Sequence, residues 1–352
     1  MNRYRLPILV WTLALSANAA AEPITVKSGG AVLAVAFAPN GSLLAYARAV
    51  PLPDGHRRGD VVLWDAVRGQ EQCVLTGHPG AVGALAFSPD GKLLTSGGSR
   101  QWQATPVDEA LNVKIWDVGA GRELTTLLGQ GDQVTDVAFS PDGKTLATAG
   151  IDGTVKLRLV ERDWRVRATL KPPTQKTRDE PAFRLAFGPG GHWLAVGLGG
   201  GAIEIWDLQS LRMTHRLRAH DVKQHGVAVV VSPQDAALIA VSPDAVQVWD
   251  TETFQVRKTF AVPPKAWPAA LSADGRLLAV GASKEWDLPA EVIVWDLVDG
   301  KRIGALAGFK KSVCALAFSA DGKRLACGSY DETVRVWLVK EIGAPSAGDA
   351  KP

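Results

Sequence analysis

One phrase recurs seven times along these 352 residues, and no single residue constrains the fold as much as that recurrence. Each copy holds an apolar strand that runs into a tight turn, a Leu-Ala strand, and a third strand usually ending in Trp-Asp. The turn reads AFAPNG at 36–41, AFSPDG at 86–91 and 138–143, and AFGPGG at 186–191. It continues as VVSPQD at 230–235, ALSADG at 270–275 and AFSADG at 317–322. The slot closing the third strand holds Trp64, Trp116, Arg158, Trp206, Trp249, Trp295 and Trp337, spaced 42 to 52 residues apart. The phrase survives while the spacing varies, so the variation belongs to loops. A short-strand repeat of this length cannot bury its apolar face alone and must stack on its neighbours. The expected fold is all-β: a seven-bladed β-propeller of four-stranded antiparallel blades.

Four strands, a to d, fit each repeat. The third copy shows them whole, at 134–140, 145–149, 154–159 and 165–170. Between a and b, Pro-Asp-Gly suits a tight turn, because Asp bonds its own backbone and Gly accepts positive φ. The seventh copy reaches Trp337 and then runs into a Pro/Ala/Gly-rich tail, so its strand d is missing. Ile24-Thr25-Val26-Lys27 supplies it, standing before Ala31 as Val74-Leu75-Thr76-Gly77 stands before Ala81. An N-terminal strand paired into the last blade closes the ring and leaves no long unpaired edge between the ends.

The chain resembles the WD-repeat (WD40) β-propeller family over nearly its whole length, as an exported, bacterial-type member with degenerate repeats. The resemblance rests on Trp64-Asp65, Trp116-Asp117, Trp206-Asp207, Trp249-Asp250 and Trp295-Asp296. Gly77-His78 and the hairpins Asp152-Gly153-Thr154-Val155 and Asp331-Glu332-Thr333-Val334 add to it. It implies a buried relay in each blade from a Gly-His histidine, a strand-b Ser or Thr, a hairpin Asp and the Trp. No repeat keeps all four. The second has His78 and Trp116 without a clear Asp, and the seventh has Ser329, Asp331 and Trp337 with Phe309 in the histidine position. These residues read as structural, and packing of Phe, Leu, Val and Trp between blades is expected to carry the stability.

Residues 1–21 read as a cleavable secretory signal: Arg3 and Arg5, an apolar stretch from Leu6 to Leu15, then alanines at a cleavage site. The stretch is too short to span a bilayer. The expected organisation is signal 1–21, propeller 22–340 and tail 341–352, in a periplasmic or extracellular protein without an integral membrane segment in its mature form. Formal charge is +3, and two of those positive charges lie in the leader. So balanced a chain offers no electrostatic drive toward nucleic acid. Cys73, Cys314 and Cys327 make no metal or haem spacing. Alternation points Cys314 and Cys327 to one face. An oxidising compartment permits a bridge there, but adjacent-strand geometry favours free thiols.

No catalytic constellation assembles: no Gly-x-Ser-x-Gly elbow, no His-Glu-x-x-His and no loaded calcium loop. Gly197 to Gly201 joins two strands and opens no helix, so it reads as a hairpin rather than a phosphate loop. His215, His220 and His225 span a strand end, a loop and a strand start, where ligands do not converge. Arg58-Gly59-Asp60 matches an adhesion tripeptide whose chance rate is high, and Asn40-Gly41-Ser42 is a sequon inside a tight turn. The expectation is no enzyme, no cofactor and no metal.

Loop length is more informative. Expansions at 48–59, 99–111 and 283–290 follow strand b, and 171–181 joins d to a. In a four-stranded meander, b–c and d–a connections emerge on one rim, so all four decorate the same rim. That rim is the expected binding face. Its candidates are His56, Arg57, Arg58, Arg100, Trp102, Arg178, Trp267 and Trp286, with Lys176, Lys284 and Glu285 beside them, because Trp beside Arg is typical of interface anchors. On strand a, Asp136 and Arg184 replace the usual Ala and form a candidate channel site or an ion pair between blades. The favoured function is a non-catalytic scaffold for an unidentified protein or peptide, monomeric by itself. The alternatives are an exported propeller enzyme or small-ligand binder at the channel mouth, and an accessory subunit of a redox or surface complex.

Overall fold

A computed structural model describes residues 22–99, 112–171, 181–219, 227–232, 236–243, 245–262, 266–282, 285 and 287–342. They form seven four-stranded antiparallel sheets. Six sheets take four consecutive strands each. The seventh orders β1 (Ile24–Lys27) beside β28 (Thr333–Leu338), then β27 (Arg324–Ser329) and β26 (Val313–Phe318). Register runs Ile24↔Val336 to Lys27↔Thr333, so the N-terminal strand closes the ring. Innermost strands a pack on one another around the circuit. The fold is the seven-bladed β-propeller expected from the repeats.

The repeat phrase has two local causes. In the a–b turn of blade 2, Ser88 Oγ donates to Asp90 Oδ1 (2.6 Å) and accepts from Leu93 N (3.0 Å). Asp90 Oδ1 also accepts from Lys92 N (3.1 Å), and Gly91 sits at φ 71°, which only glycine adopts without strain. Ser140/Asp142, Ser272/Asp274 and Ser319/Asp321 repeat the arrangement. At the c–d turn, the acid of Trp-Asp caps the backbone. Asp65 Oδ1 accepts from Val67 N and Arg68 N, and Asp250 Oδ1 accepts from Glu252 N and Thr253 N. The Asp side chain therefore sets the turn while the Trp packs.

That packing follows one rule: the Phe and Trp slots of each blade close onto the preceding blade. Phe87 and Trp116 of blade 2 join Leu43, Ala45 and Leu63 of blade 1 in one core. Phe187 and Trp206 join blade 3 in the same way, and Phe318 and Trp337 join blade 6. Full burial of a side chain of this size contributes roughly 1.5–3 kcal/mol.

Blade 3 breaks the rule and repairs it. Arg158 is buried in the Trp slot, with Nη2 donating to Leu128 O (2.9 Å) and Nη1 to Trp164 O (3.3 Å). Trp164 fills the vacated apolar space, packing on the core between blades 2 and 3 and meeting Phe139 edge-on at 6.4 Å. It reaches there from a turn in which Asp163 and Trp164 sit at φ 47° and 58°, a conformation that favours Asn or Gly.

Six of the seven strands a carry a bulge near their start, as between Val134 and Asp136 or Val313 and Ala315. The exception is β18 (Ala228–Ser232), which pairs without a shift. The bulge overturns simple alternation at Cys314. Cys327 packs in the core between blades 6 and 7, whereas Cys314 lies against the cluster of Leu33, Ala49 and Ala81. The two thiols therefore point to different faces and are free, and burial pushes both pKa values up.

Candidate functional site

The rim carrying b–c and d–a connections is built first by blade 1. Its strands β3 (Leu43–Pro51) and β4 (Arg57–Asp65) run past strand β5 (Gln70–His78) as a two-stranded arm with Pro51 opposite Arg57. The expected loop at 48–59 is therefore mostly ribbon. Leu52 N donates to His56 O (2.8 Å) and His56 N to Asp54 Oδ1 (2.9 Å), which turns the chain at its tip. Asp60, at 1% exposure, lies at the base. Arg58 grips it with Nε on Oδ1 (2.8 Å) and Nη2 on Oδ2 (3.1 Å), and Arg48 Nη2 approaches Oδ2 at 3.4 Å. That grip raises the Arg58 pKa through the hydrogen bond and charge of Asp60. The Arg-Gly-Asp tripeptide thus hides its acid, and half the Arg58 side chain remains exposed. Arg57 Nη1 donates to Ala49 O (3.4 Å).

Trp267 lies not on a rim loop but in the bulge at the start of β22 (Ala266–Leu271), half buried at the channel mouth. The Arg184 guanidinium, from blade 4, sits 4.6 Å over its ring, so the pair reaches across in front of blade 5. Arg184 Nη1 also donates to Thr135 O (3.0 Å) and Phe183 O (3.1 Å).

Asp136 does not pair with Arg184 by direct contact. Its Oδ2 accepts from Leu185 N of blade 4 (2.8 Å) and its Oδ1 from Val137 N (3.0 Å). Thr135 Oγ1 adds a bond to Ala182 O. Burial raises the Asp136 pKa against the pull of Arg184 and the two backbone donors. These groups latch blade 3 to blade 4. Arg100, Trp102, Lys176, Arg178, Lys284 and Trp286 lie outside the described residues. Glu285 O accepts from Ser312 Oγ (2.8 Å), which ties blade 6 to blade 7 on this rim.

The structural residues assemble in part. Ser96 Oγ sits 2.7 Å from His78 Nε2 and accepts from Trp116 Nε1 (2.8 Å), so blade 2 holds three relay members. His78 Nδ1 has no partner among the described residues, and burial drives its pKa down to about 3. In blade 7, Asp331 Oδ1 caps Thr333 N (3.1 Å) and Oδ2 takes Lys310 N (2.9 Å). Phe309 packs against Trp337 with the rings tilted by 50° and centroids 5.5 Å apart, where a histidine would stand. Asp152 caps Thr154.

Two polar substitutes escaped the sequence reading. Gln130 replaces the histidine of blade 3, with Thr148 Oγ1 donating to its Oε1 (2.7 Å). The signal was present, since Gln130 follows Gly129 as His78 follows Gly77. Buried Glu204 accepts from Trp206 Nε1 (3.0 Å) and pairs with Arg216, and a lone acid inside a strand gave no comparable cue. Trp249 Nε1 and Trp295 Nε1 are buried without partners among the described residues.

No group of three or more His, Cys, Asp or Glu side chains placed to hold a metal occurs among the described residues. His215 lies 4.4 Å from the Phe254 ring, and His220 and His225 are outside the described residues. No helix among the described residues is long and apolar enough to cross a membrane.

With the seven sheets and the Trp-Asp turns in place, the class is plain: residues 69–103, 121–158 and 300–337 match the family described as WD domain, G-beta repeat. The chain is a seven-bladed β-propeller in which these three segments match WD40 repeats. It is similar to centriole proteome protein 16 of Chlamydomonas reinhardtii, 32% identical over 204 residues, covering 56% of this chain and 9% of that protein. Cell division cycle 20.5, cofactor of APC complex, of Arabidopsis thaliana is 26% identical over 293 residues, covering 80% of this chain and 61% of that protein. Pre-mRNA-processing factor 19 homolog 2 of the same plant is 25% identical over 281 residues, covering 78% and 50%. The chain thus spans less than two thirds of the length of each of these relatives.

Proposed function

We propose that this protein is a non-catalytic interaction scaffold, exported from the cytoplasm, which docks a protein or peptide on the rim formed by the b–c and d–a connections. The observation that carries this reading is the blade 1 arm. It projects beyond its own blade and holds an Arg-paired acid at its base, leaving His56, Arg57 and the outer half of Arg58 around its tip. A paired ribbon tipped by such groups suits recognition better than catalysis. The Arabidopsis relative described as a cofactor of the APC complex supports the scaffold class, since that description is of a protein working within an assembly. Arg3, Arg5 and the alanine-rich segment at 17–21 support export.

The test is affinity capture with cross-linking, comparing the parent with His56→Ala/Arg57→Glu, a pair that leaves the Arg58–Asp60 grip intact. Loss of a specific partner with unchanged thermal unfolding is expected. Retention of every partner by the variant sinks the rim assignment. Export is tested separately by N-terminal sequencing of the secreted product, which should begin near residue 20.

A further inference from the structure

On the opposite rim, where the turns are short, we propose a second docking site: a cleft between blades 5 and 6 that seats an aromatic side chain of an acidic peptide segment. Two positions of the repeat are shortened around it. Strand b opens with Leu43, Leu93, Thr145, Trp193, Leu277 or Arg324 in the other blades, but with Ala237 in blade 5. The Phe slot of blade 6, which closes onto blade 5, holds Leu271. Both residues belong to one core cluster with Ile239, Val248 and Leu297. Ala237 lies on the floor of a cleft of about 300 Å³ with Ile239, Val248 and Leu297, while Leu271 packs in the core cluster to which that floor belongs.

The chemistry at the entrance selects the occupant. Val298, 64% exposed, extends the apolar floor outward. Arg257 and Lys258 of strand d stand beside it. Arg257 engages Asp250. Lys258 Nζ donates to Leu297 O (3.4 Å) and Val298 O (2.6 Å) and has no carboxylate partner among the described residues. An ammonium held by carbonyl dipoles at the lip of an apolar cleft favours an apolar group followed by negative charge, because a carboxylate there gains a charge-assisted bond. The space accepts a ring of the kind this repeat normally supplies itself, since Phe is what the slot carries in five of seven blades. The site lies on the other face from the blade 1 arm, so the two bind independently.

Fluorescence anisotropy with a labelled decapeptide of glutamates carrying one central phenylalanine tests this. Controls replace the phenylalanine by alanine, or every glutamate by lysine. Saturable binding of the Phe peptide is expected, weakened by salt and at least about tenfold tighter than either control. Ala237→Leu refills the cleft with the residue type of blades 1, 2 and 6 and should reduce affinity about tenfold. Lys258→Glu, a surface change, should do so as well and decides the matter even if Ala237→Leu unfolds the blade. Equal binding of the Phe and Ala peptides overturns the proposal. So does parental affinity in a folded Ala237→Leu or in Lys258→Glu, or no saturable binding at all.

Discussion

Buried polar side chains decide how this protein responds to acid and to small substitutions. His78 is the clearest case. Its ordinary pKa of 6.5 falls to about 3 because burial disfavours the imidazolium, with Lys114 adding repulsion. The unfolded chain therefore takes up a proton that the folded chain refuses. Stability from this residue is whole above pH 6.5 and is lost progressively as pH falls toward 3, on the order of 1 kcal/mol per unit. Asp250 and the other turn-capping acids are held below their usual range by backbone and side-chain bonds, so their stabilisation begins to be lost as pH falls through their ordinary value of 3.8. Blade 3 shows the remedy in Gln130. His78→Gln should keep a bond to Ser96 and flatten the stability profile between pH 6.5 and 4.5, read as the difference in Tm across that interval. The tryptophans offer a paired comparison. Trp116 Nε1 donates to Ser96, whereas Trp295 Nε1 is buried without a partner among the described residues. Trp116→Phe should therefore cost about 1 kcal/mol more than Trp295→Phe in denaturant unfolding, because only the first orphans an acceptor.

At the scale of elements, strand order, turn chemistry and ring closure were legible because each rests on a periodic cue. Alternation marks the strands, Pro-Asp-Gly the turns, and a fixed offset places Ile24–Lys27 as the missing outer strand. What the sequence concealed depends on departures from period. The bulges on six inner strands shift one residue out of register, which separates Cys314 from Cys327, and Trp267 lies inside one of them rather than on a rim loop. A bulge has no composition of its own, so alternation misassigned the face. The arm of blade 1 likewise looks like loop in the sequence, since Pro51, Pro53 and Gly55 look like breakers although the strands continue to Pro51 and Arg57. Ring closure predicts its own mutant. Val26 packs into the core between blades 7 and 1 and pairs with Val334. Val26→Pro removes a donor from a four-residue strand and fixes its φ. It should lower stability by about 1–3 kcal/mol through the lost ladder bond and expose the outer edge of β28 to proteolysis.

For the whole molecule, loop lengths distinguish the two rims in the sequence more readily than they mark any one site. Counting loop expansions singled out one rim, and the arm with His56, Arg57 and Arg58 stands on it. The cleft between blades 5 and 6 left no such mark. It involves two ordinary residues, Ala237 on its floor and Leu271 in the core cluster behind that floor, which are noteworthy only against the other blades. Fold class follows from what repeats, whereas specificity follows from where repetition lapses. If both faces bind, one chain bridges two partners, and each loss should be separable. His56→Ala/Arg57→Glu should abolish capture at the arm while leaving the affinity for the phenylalanine peptide within about twofold, as expected for distant, independent sites.

The clasp between β1 and β28 also dictates an order of events during synthesis. Blades 1 to 6 each unite strands adjacent in sequence and are complete as soon as their own residues emerge. The opening strand instead waits while some 300 residues are made, and through that interval its natural mate does not exist. Every finished blade meanwhile presents an outer edge that offers a waiting strand the wrong partner. A segment of only four residues, ending in a lysine, binds such edges poorly, so brevity at the start of the ring protects the nascent chain from closing on the wrong blade.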